Sequence, residues 1–347
     1  MKKNLQSSGI LAAGTWTVDY TKEVAGFPSE GACTQITRER VHNGGAPYNL
    51  LVDLRRLGAS YPLRALGCLG KDVDGANILK DCRSHDIDAT NLRVIPQVQT
   101  SFSDVMVSAA SGMRTSFNYE GANALLGLEA FDFAKNHARI FFLGTILFLS
   151  KLDEPDKRHG TKAAAALAAA RKAGIITCTD IERAGHVPAD LFLNGCRAAL
   201  RQTDLIVLNV EVAGMLAGRK LRGPDGVDLL EATEAAKSLL DENESKLVVI
   251  RFPSGAVAAE EGGNVFCEGS VLLPRGRKLS TNGAGHAFTA GLLHGHHEGW
   301  SVTESLKLAH AAAASCLLEG TASGGVRKIP ACQAVLKKYG QRHLVAQ

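Results

Sequence analysis

Leu63-Arg64-Ala65-Leu66-Gly67-Cys68-Leu69-Gly70-Lys71-Asp72-Val73-Asp74-Gly75 reads as a step from a strand into a helix. Its first six residues are mostly apolar and too few for a helix, as in a strand buried on both faces. Asp72 is an N-cap type of residue, and the helical pattern runs from it to Ser84. The same step recurs outward in both directions. Residues 8–13 read as a first buried strand. Residues 47–57 read as a helix, with Leu50, Leu54 and Leu57 at helical spacing and Gly58 as its stop. Residues 139–143, 175–178, 205–208 and 247–250 read as further strands. Helices are expected at 154–172, 189–200, 229–240, 284–293 and 302–318. The alternation predicts an α/β fold around a parallel sheet.

Two stretches break the alternation. Residues 15–41 hold glycines and β-prone residues without a long helical pattern. Residues 100–119 are rich in Ser, Val, Thr and Phe, and Ser111-Gly112 supplies a turn, so they read as a hairpin. Together they predict a small β-layer outside the main sheet. There is no internal repeat and no linker composition, so residues 1–347 are expected to form one domain.

Composition narrows the function classes. Lys plus Arg is 39 against 35 for Asp plus Glu, a balance of +4 that makes no case for nucleic acid as partner. The eight cysteines are scattered without a Cys-x-x-Cys pair, and are expected as free, mostly buried thiols in a reducing compartment. Residues 10–13 are too short for a signal-peptide core. The most apolar run, 140–149, falls far short of the ~20 residues a membrane span needs. A cytoplasmic protein with no membrane partner is expected.

Three stretches carry candidate chemistry. In Ser280-Thr281-Asn282-Gly283-Ala284-Gly285-His286-Ala287-Phe288, glycines just before a helix let backbone N–H groups converge where the helix dipole favours an anion. Arg275, Arg277 and Lys278 lie upstream and add to that potential. A tight turn beside a solvated basic run is the plainer account of the same residues. In Asn43-Gly44-Gly45-Ala46-Pro47-Tyr48-Asn49, the glycines permit close approach to a ligand and Asn49 offers donors and an acceptor. In Gly14-Thr15-Trp16-Thr17-Val18-Asp19, a carboxylate follows the first strand, at the sheet edge where α/β proteins bind ligands. There is no Gly-x-Gly-x-x-Gly in the first βα turn, and Gly70-Lys71-Asp72 is not a P-loop. His294, His296 and His297 lack metal-ligand spacing and read as a solvent-exposed helix end, so no metal site is assigned.

Together these stretches resemble the ribokinase-like, or PfkB, family of carbohydrate kinases, in the family's order along nearly the whole chain. Residues 14–19 are similar to its Gly-Asn-x-x-x-Asp segment, and residues 44–49 to its first signature. Leu57-Gly58-Ala59, residues 67–75 and Gly121-Ala122-Asn123 fit the continuation. Residues 282–291 sit where the second signature sits. The resemblance implies a doubly wound sheet flanked by helices, with a β-sheet lid from about 15–41 and 100–119. It also implies a homodimer joined through that lid. It further implies a sugar or polyol bound by Asp19, Gly44, Gly45 and Asn49. ATP with Mg²⁺, and a monovalent cation, are the implied cofactors. The amides of Gly283, Ala284 and Gly285 would hold charge on the transferred phosphoryl group.

The departures fall on the phosphoryl-transfer side. The family's second signature ends in a proton-accepting Asp, where this chain has His286, and begins with an Asp, where it has Ser280. The family's Asn-x-x-Glu, tied to the metal–phosphate assembly, would begin at Asn209 and place Val212 at the Glu position. Its Thr-x-Gly has become Ile250-Arg251-Phe252. A neutral imidazole accepts a proton near pH 7, and a helix N-terminus is expected to keep His286 uncharged. The leading expectation is an ATP-dependent sugar kinase with His286 in the base position. Its alternative is a non-catalytic member that binds a sugar or anionic metabolite as a sensor or partner protein.

Overall fold

A computed structural model describes residues 8–344 except 112, 136, 184, 186, 224–225, 275–282 and 320–323. Among these, thirteen strands of four or more residues carry the architecture. They are β1 (Ile10–Gly14), β2 (Thr17–Val24), β3 (Ile36–Gly44), β4 (Leu63–Gly70), β5 (Asp88–Ile95), β6 (Ser101–Ser108), β7 (Arg114–Tyr119) and β8 (Ile140–Gly144). The rest are β9 (Ile176–Thr179), β10 (Leu205–Asn209), β11 (Leu247–Phe252), β12 (Gly255–Glu260) and β13 (Val265–Gly269). The helices of eight or more residues are α1 (Ala46–Leu57), α2 (Val73–Ser84), α3 (Lys162–Lys172), α4 (Ala189–Leu200), α5 (Val210–Ala217), α6 (Leu229–Asn243), α7 (Ala284–His297), α8 (Val302–Leu317) and α9 (Ile329–Tyr339).

Nine strands form the main sheet in the order β13-β12-β11-β10-β9-β8-β1-β4-β5. Pairings from β11 through to β5 are parallel, and β12 and β13 join antiparallel. Strand side chains alternate between two apolar layers. Ile10, Ala12, Phe142 and Val207 pack with α1, α7 and α8, whereas Leu11, Ala13, Phe141 and Ile206 pack with α3, α4, α5 and α6. Both faces are therefore covered, which is why these strands read as continuous apolar runs.

The second sheet, β3-β2-β6-β7, is the lid, with β2 and β6 parallel and the other two pairs antiparallel. The expected hairpin of 100–119 is β6 and β7, although Gly112 of its turn lies outside the described residues. The lid's first half reaches beyond Val41 to Gly44, so β3 runs directly into α1. One glycine makes that junction, and a second ends β1. Gly45 has φ 93°, and a Cβ there would lie 2.0 Å from the Thr15 carbonyl oxygen. Gly14 has φ 130°, and its Cβ would overlap the Gly144 carbonyl oxygen at 1.6 Å. Only glycine fits either place.

Two expectations are corrected. The helix expected over 154–172 begins only at Lys162, with Thr161 as its N-cap. Before it come a helical turn, Ser150–Asp153, and a short hairpin pairing Pro155–Asp156 with Gly160–Thr161. Pro155 and Gly160 break the pattern. The histidine-rich end of α7 is not exposed: His294 and His297 are buried. His297 stacks on Tyr61 with ring centroids 3.6 Å apart and accepts from the Gly9 amide at 3.1 Å. Burial lowers the pKa of His294, His296 and His297, for His297 against the pull of Glu298, so packing favours the neutral rings.

Candidate active site

The lid and the carboxyl ends of β1 and β8 enclose a cleft of about 1170 Å³. Asp19, Gly45, Asn49 and His286 all line it. They come from β2, the turn before α1, α1 itself and the first turn of α7, separated by up to 267 residues of chain (286 − 19). Asp19 lies opposite His42 on β3 and Ser103 on β6. Gly44 lacks the Cβ that would stand 2.7 Å from the Asp19 carboxylate. Burial raises the Asp19 pKa, against the opposing pull of His42, Arg114 and the Thr17 hydroxyl. Asn123, at the end of the hairpin, fixes the floor: its Oδ1 accepts from the Trp16 amide at 3.0 Å and its Nδ2 donates to the Trp16 carbonyl at 3.3 Å.

Gly283 caps α7 at φ 76°, and its carbonyl accepts from Ala287, so the amides of Ala284, Gly285 and His286 lead the helix. His286 sits between two partners. Its Nδ1 is 3.4 Å from Asn49 Nδ2, and its Nε2 is 3.6 Å from Asp180 Oδ2. The expected preference for an uncharged imidazole is opposed here. Burial pulls the His286 pKa down, but the Asp180 carboxylate beside it, with Glu182 behind, raises it overall. Asp180 is buried at the end of β9, yet His286 and Arg251 hold its pKa below the usual carboxylate range. Asn49 Oδ1 is buried without a hydrogen-bond partner among the described residues. Turning that amide over would let it accept from an imidazolium Nδ1–H.

Sequence reasoning did not single out Asp180 or Glu182. The signal was present: Asp180-Ile181-Glu182 follows a strand at the sheet's carboxyl edge, as Asp19 does. Glu182 opens onto the cleft, and crowding by the protein together with the Asp180 charge raises its pKa. Asp180, Glu182 and His286 bring ligand atoms within 4.8 Å of one another, a donor set of the kind that holds a divalent ion. The charge of Arg251 acts on all three, however, and Asp180 is already paired with His286. The cluster carries its own cations, and a metal anchored on these three residues does not fit.

Nor does the expected nucleotide-side position offer one. Asn209 ends β10 as the N-cap of α5, its Oδ1 accepting from the Glu211 and Val212 amides at 3.0 and 2.8 Å. Val212 is fully buried, and Glu211 is exposed and pairs with Arg222. Arg275, Arg277, Lys278, Ser280 and Asn282 lie outside the described residues.

Residues 9–328 match the pfkB family carbohydrate kinase profile. The chain belongs to the pfkB family of carbohydrate kinases. Among pfkB relatives, it is 22% identical over 314 residues to a 5-dehydro-2-deoxygluconokinase of Clostridium beijerinckii, covering 86% of this chain and 85% of that one. It is 28% identical over 297 residues to a probable chloroplastic fructokinase-6 of Arabidopsis thaliana, covering 83% and 70%. Its fold is that of ribokinase: the Arabidopsis thaliana ribokinase complexed with ribose and ATP superposes with a TM-score of 0.77 at 20% identity, over 95% of this chain and 99% of that one. A Burkholderia thailandensis nucleoside kinase in complex with inosine gives 0.73 at 17% identity, over 96% and 100%.

Proposed function

We propose that this pfkB-family chain transfers the γ-phosphoryl group of ATP to a hydroxyl of a sugar or related polyol. The supporting observation is the position of His286, on the first turn of α7, between Asn49 and Asp180 and in the same cleft as Asp19. Asp19 and Asn49 orient the polyol. The reacting hydroxyl takes the place of the loosely held Asn49 amide at His286 Nδ1 and gives up its proton there. Its oxygen forms the new P–O bond as the bond to ADP breaks. Asp180 keeps Nε2–H and stabilises the imidazolium that results, the role an aspartate plays behind a general-base histidine. The leading amides of α7 face the charge developing on the phosphoryl oxygens. Phosphoryl transfer depends mostly on positioning and electrostatics, so this scaffold carries it with a histidine as base.

The raised His286 pKa supports a second reading. An imidazolium already bound to Asp180 accepts no proton, and the chain would then bind a sugar or anionic metabolite without turnover. ADP release measured by an enzyme-coupled assay across a panel of pentoses, hexoses, sugar acids and nucleosides separates the two. Sugar-dependent ADP release that falls about 10²–10⁴-fold in His286→Ala supports the kinase. Thermal stabilisation by a sugar with no ADP release, and activity appearing only in His286→Asp, supports the binding protein.

A further inference from the structure

We propose that Arg251 is the cation that receives the nucleotide's phosphates, in the role for which a kinase otherwise anchors a divalent ion on protein carboxylates; the inference rests on the phosphoryl-transfer reading of the cleft. Arg251 is the penultimate residue of β11, in register with Asn209 of β10 and Ala256 of β12. That places it at the carboxyl edge of the sheet. Its guanidinium lies against the first turn of α7: a Cβ on Gly285 would stand 2.5 Å from Nη2, 2.8 Å from Cζ and 3.0 Å from Nη1. The glycine makes room for the guanidinium beside the leading amides of the helix.

The guanidinium is under-used where it lies. Its Nε is buried and has no hydrogen-bond partner among the described residues. None of the ion pairs within 4 Å among those residues involves Arg251. Asp180, just past the end of β9, is already engaged by His286 and the Thr145 hydroxyl. A buried guanidinium donor without an acceptor is costly and calls for an explanation; an arriving oxyanion supplies one. The planar fork of N–H donors matches two phosphate oxygens at once. No carboxylate competes from the neighbouring strand end: Asn209 caps α5, Val212 is aliphatic and buried, and Glu211 turns out to Arg222. Fixed positive charge therefore stands where a protein-held ion would need carboxylates.

Titration calorimetry in EDTA, with inorganic tripolyphosphate and with ATP as probes, tests this. The wild type is expected to bind both without a divalent ion. Arg251→Met is expected to weaken both roughly 10- to 100-fold. Arg251→Lys should fall between, because it keeps the charge and loses the fork. Retention of the sugar-induced thermal shift shows that the variants are folded. The inference is overturned if Arg251→Met binds tripolyphosphate as the wild type does, or if the wild type binds it only when Mg²⁺ is added. A chain that phosphorylates no sugar yet loses tripolyphosphate through Arg251→Met ends the kinase reading and leaves this one standing. A kinase whose ATP affinity ignores Arg251→Met does the reverse.

Discussion

His286 Nε2 and Asp180 Oδ2 lie 3.6 Å apart, one on the first turn of a helix and the other at the end of a strand 106 positions earlier (286 − 180). The contact sets how the site titrates. The Asp180 pKa is lowered, so the pair stabilises the fold above the ordinary carboxylate range, and that stability is lost as pH falls through the lowered value. The His286 pKa is raised, so its share is complete below the ordinary imidazole value and is lost as pH rises through the raised one. Catalysis runs the other way, because the base must be neutral. Turnover is expected to climb with pH past ~6.5 and level off above the raised His286 pKa. In Asp180→Asn, burial and Arg251 act on His286 with only Glu182 left to oppose them. The rise should move to lower pH while the plateau falls about 10²-fold or more. A pH–rate profile of both proteins checks the shift; an unmoved midpoint contradicts it.

Asp19 is expected to govern sugar affinity rather than the chemical step. Its raised pKa means the carboxylate protonates earlier than usual as pH falls. The KM for sugar should rise on the acid side while kcat holds. Asp19→Asn should raise KM roughly 10- to 100-fold, the scale of a hydrogen bond to a charged group. Initial rates over a sugar concentration series at several pH values measure both.

The sugar side and the proposed phosphate side can be separated by adding a single methyl group to each. Gly44→Ala sets a Cβ 2.7 Å from the Asp19 carboxylate, and Gly285→Ala sets one 2.5 Å from the Arg251 guanidinium. In each case a side-chain end shifts while the backbone stays, so stability should change little. Gly44→Ala is expected to weaken sugar binding and spare ATP; Gly285→Ala is expected to do the opposite. Thermal-shift titrations with each ligand show whether the two effects separate.

The sequence was most legible where one element carries its own signal. Apolar runs such as Ile10–Gly14 and Leu205–Asn209 declare strands buried on both faces, and Gly58 and Asp72 mark helix ends by local chemistry. The strand Gly255–Glu260, with its run of alanines, was not recognised, because pairing with β11 on one side and β13 on the other overrides a weak intrinsic preference. Asp19, Asn49 and His286 were each visible as residues in loops or helix starts. What could not be read was the company they keep. That Asp180 sits against His286, or that Arg251 fills the space left by Gly285, depends on strand order in the folded sheet, which local pattern does not carry.

Asp53 offers a stability test away from the cleft. It is fully buried in α1, and neither carboxylate oxygen has a hydrogen-bond partner among the described residues. Burial raises its pKa well above the ordinary value, with Arg56 only partly opposing. The fold disfavours the charged carboxylate of Asp53, so this residue subtracts stability as pH rises past the ordinary carboxylate pKa. Asp53→Leu, close in shape, should stabilise the protein by about 1–3 kcal/mol at neutral pH. Denaturant midpoints of the two proteins decide the sign.

Phosphorus NMR of the chain with ATP, Mg²⁺ and each candidate polyol observes the proposed bond itself. A new phosphomonoester resonance growing in step with ADP, and absent with His286→Ala, is the outcome expected. A polyol that binds the cleft while the ATP resonances stay unchanged over hours would contradict it.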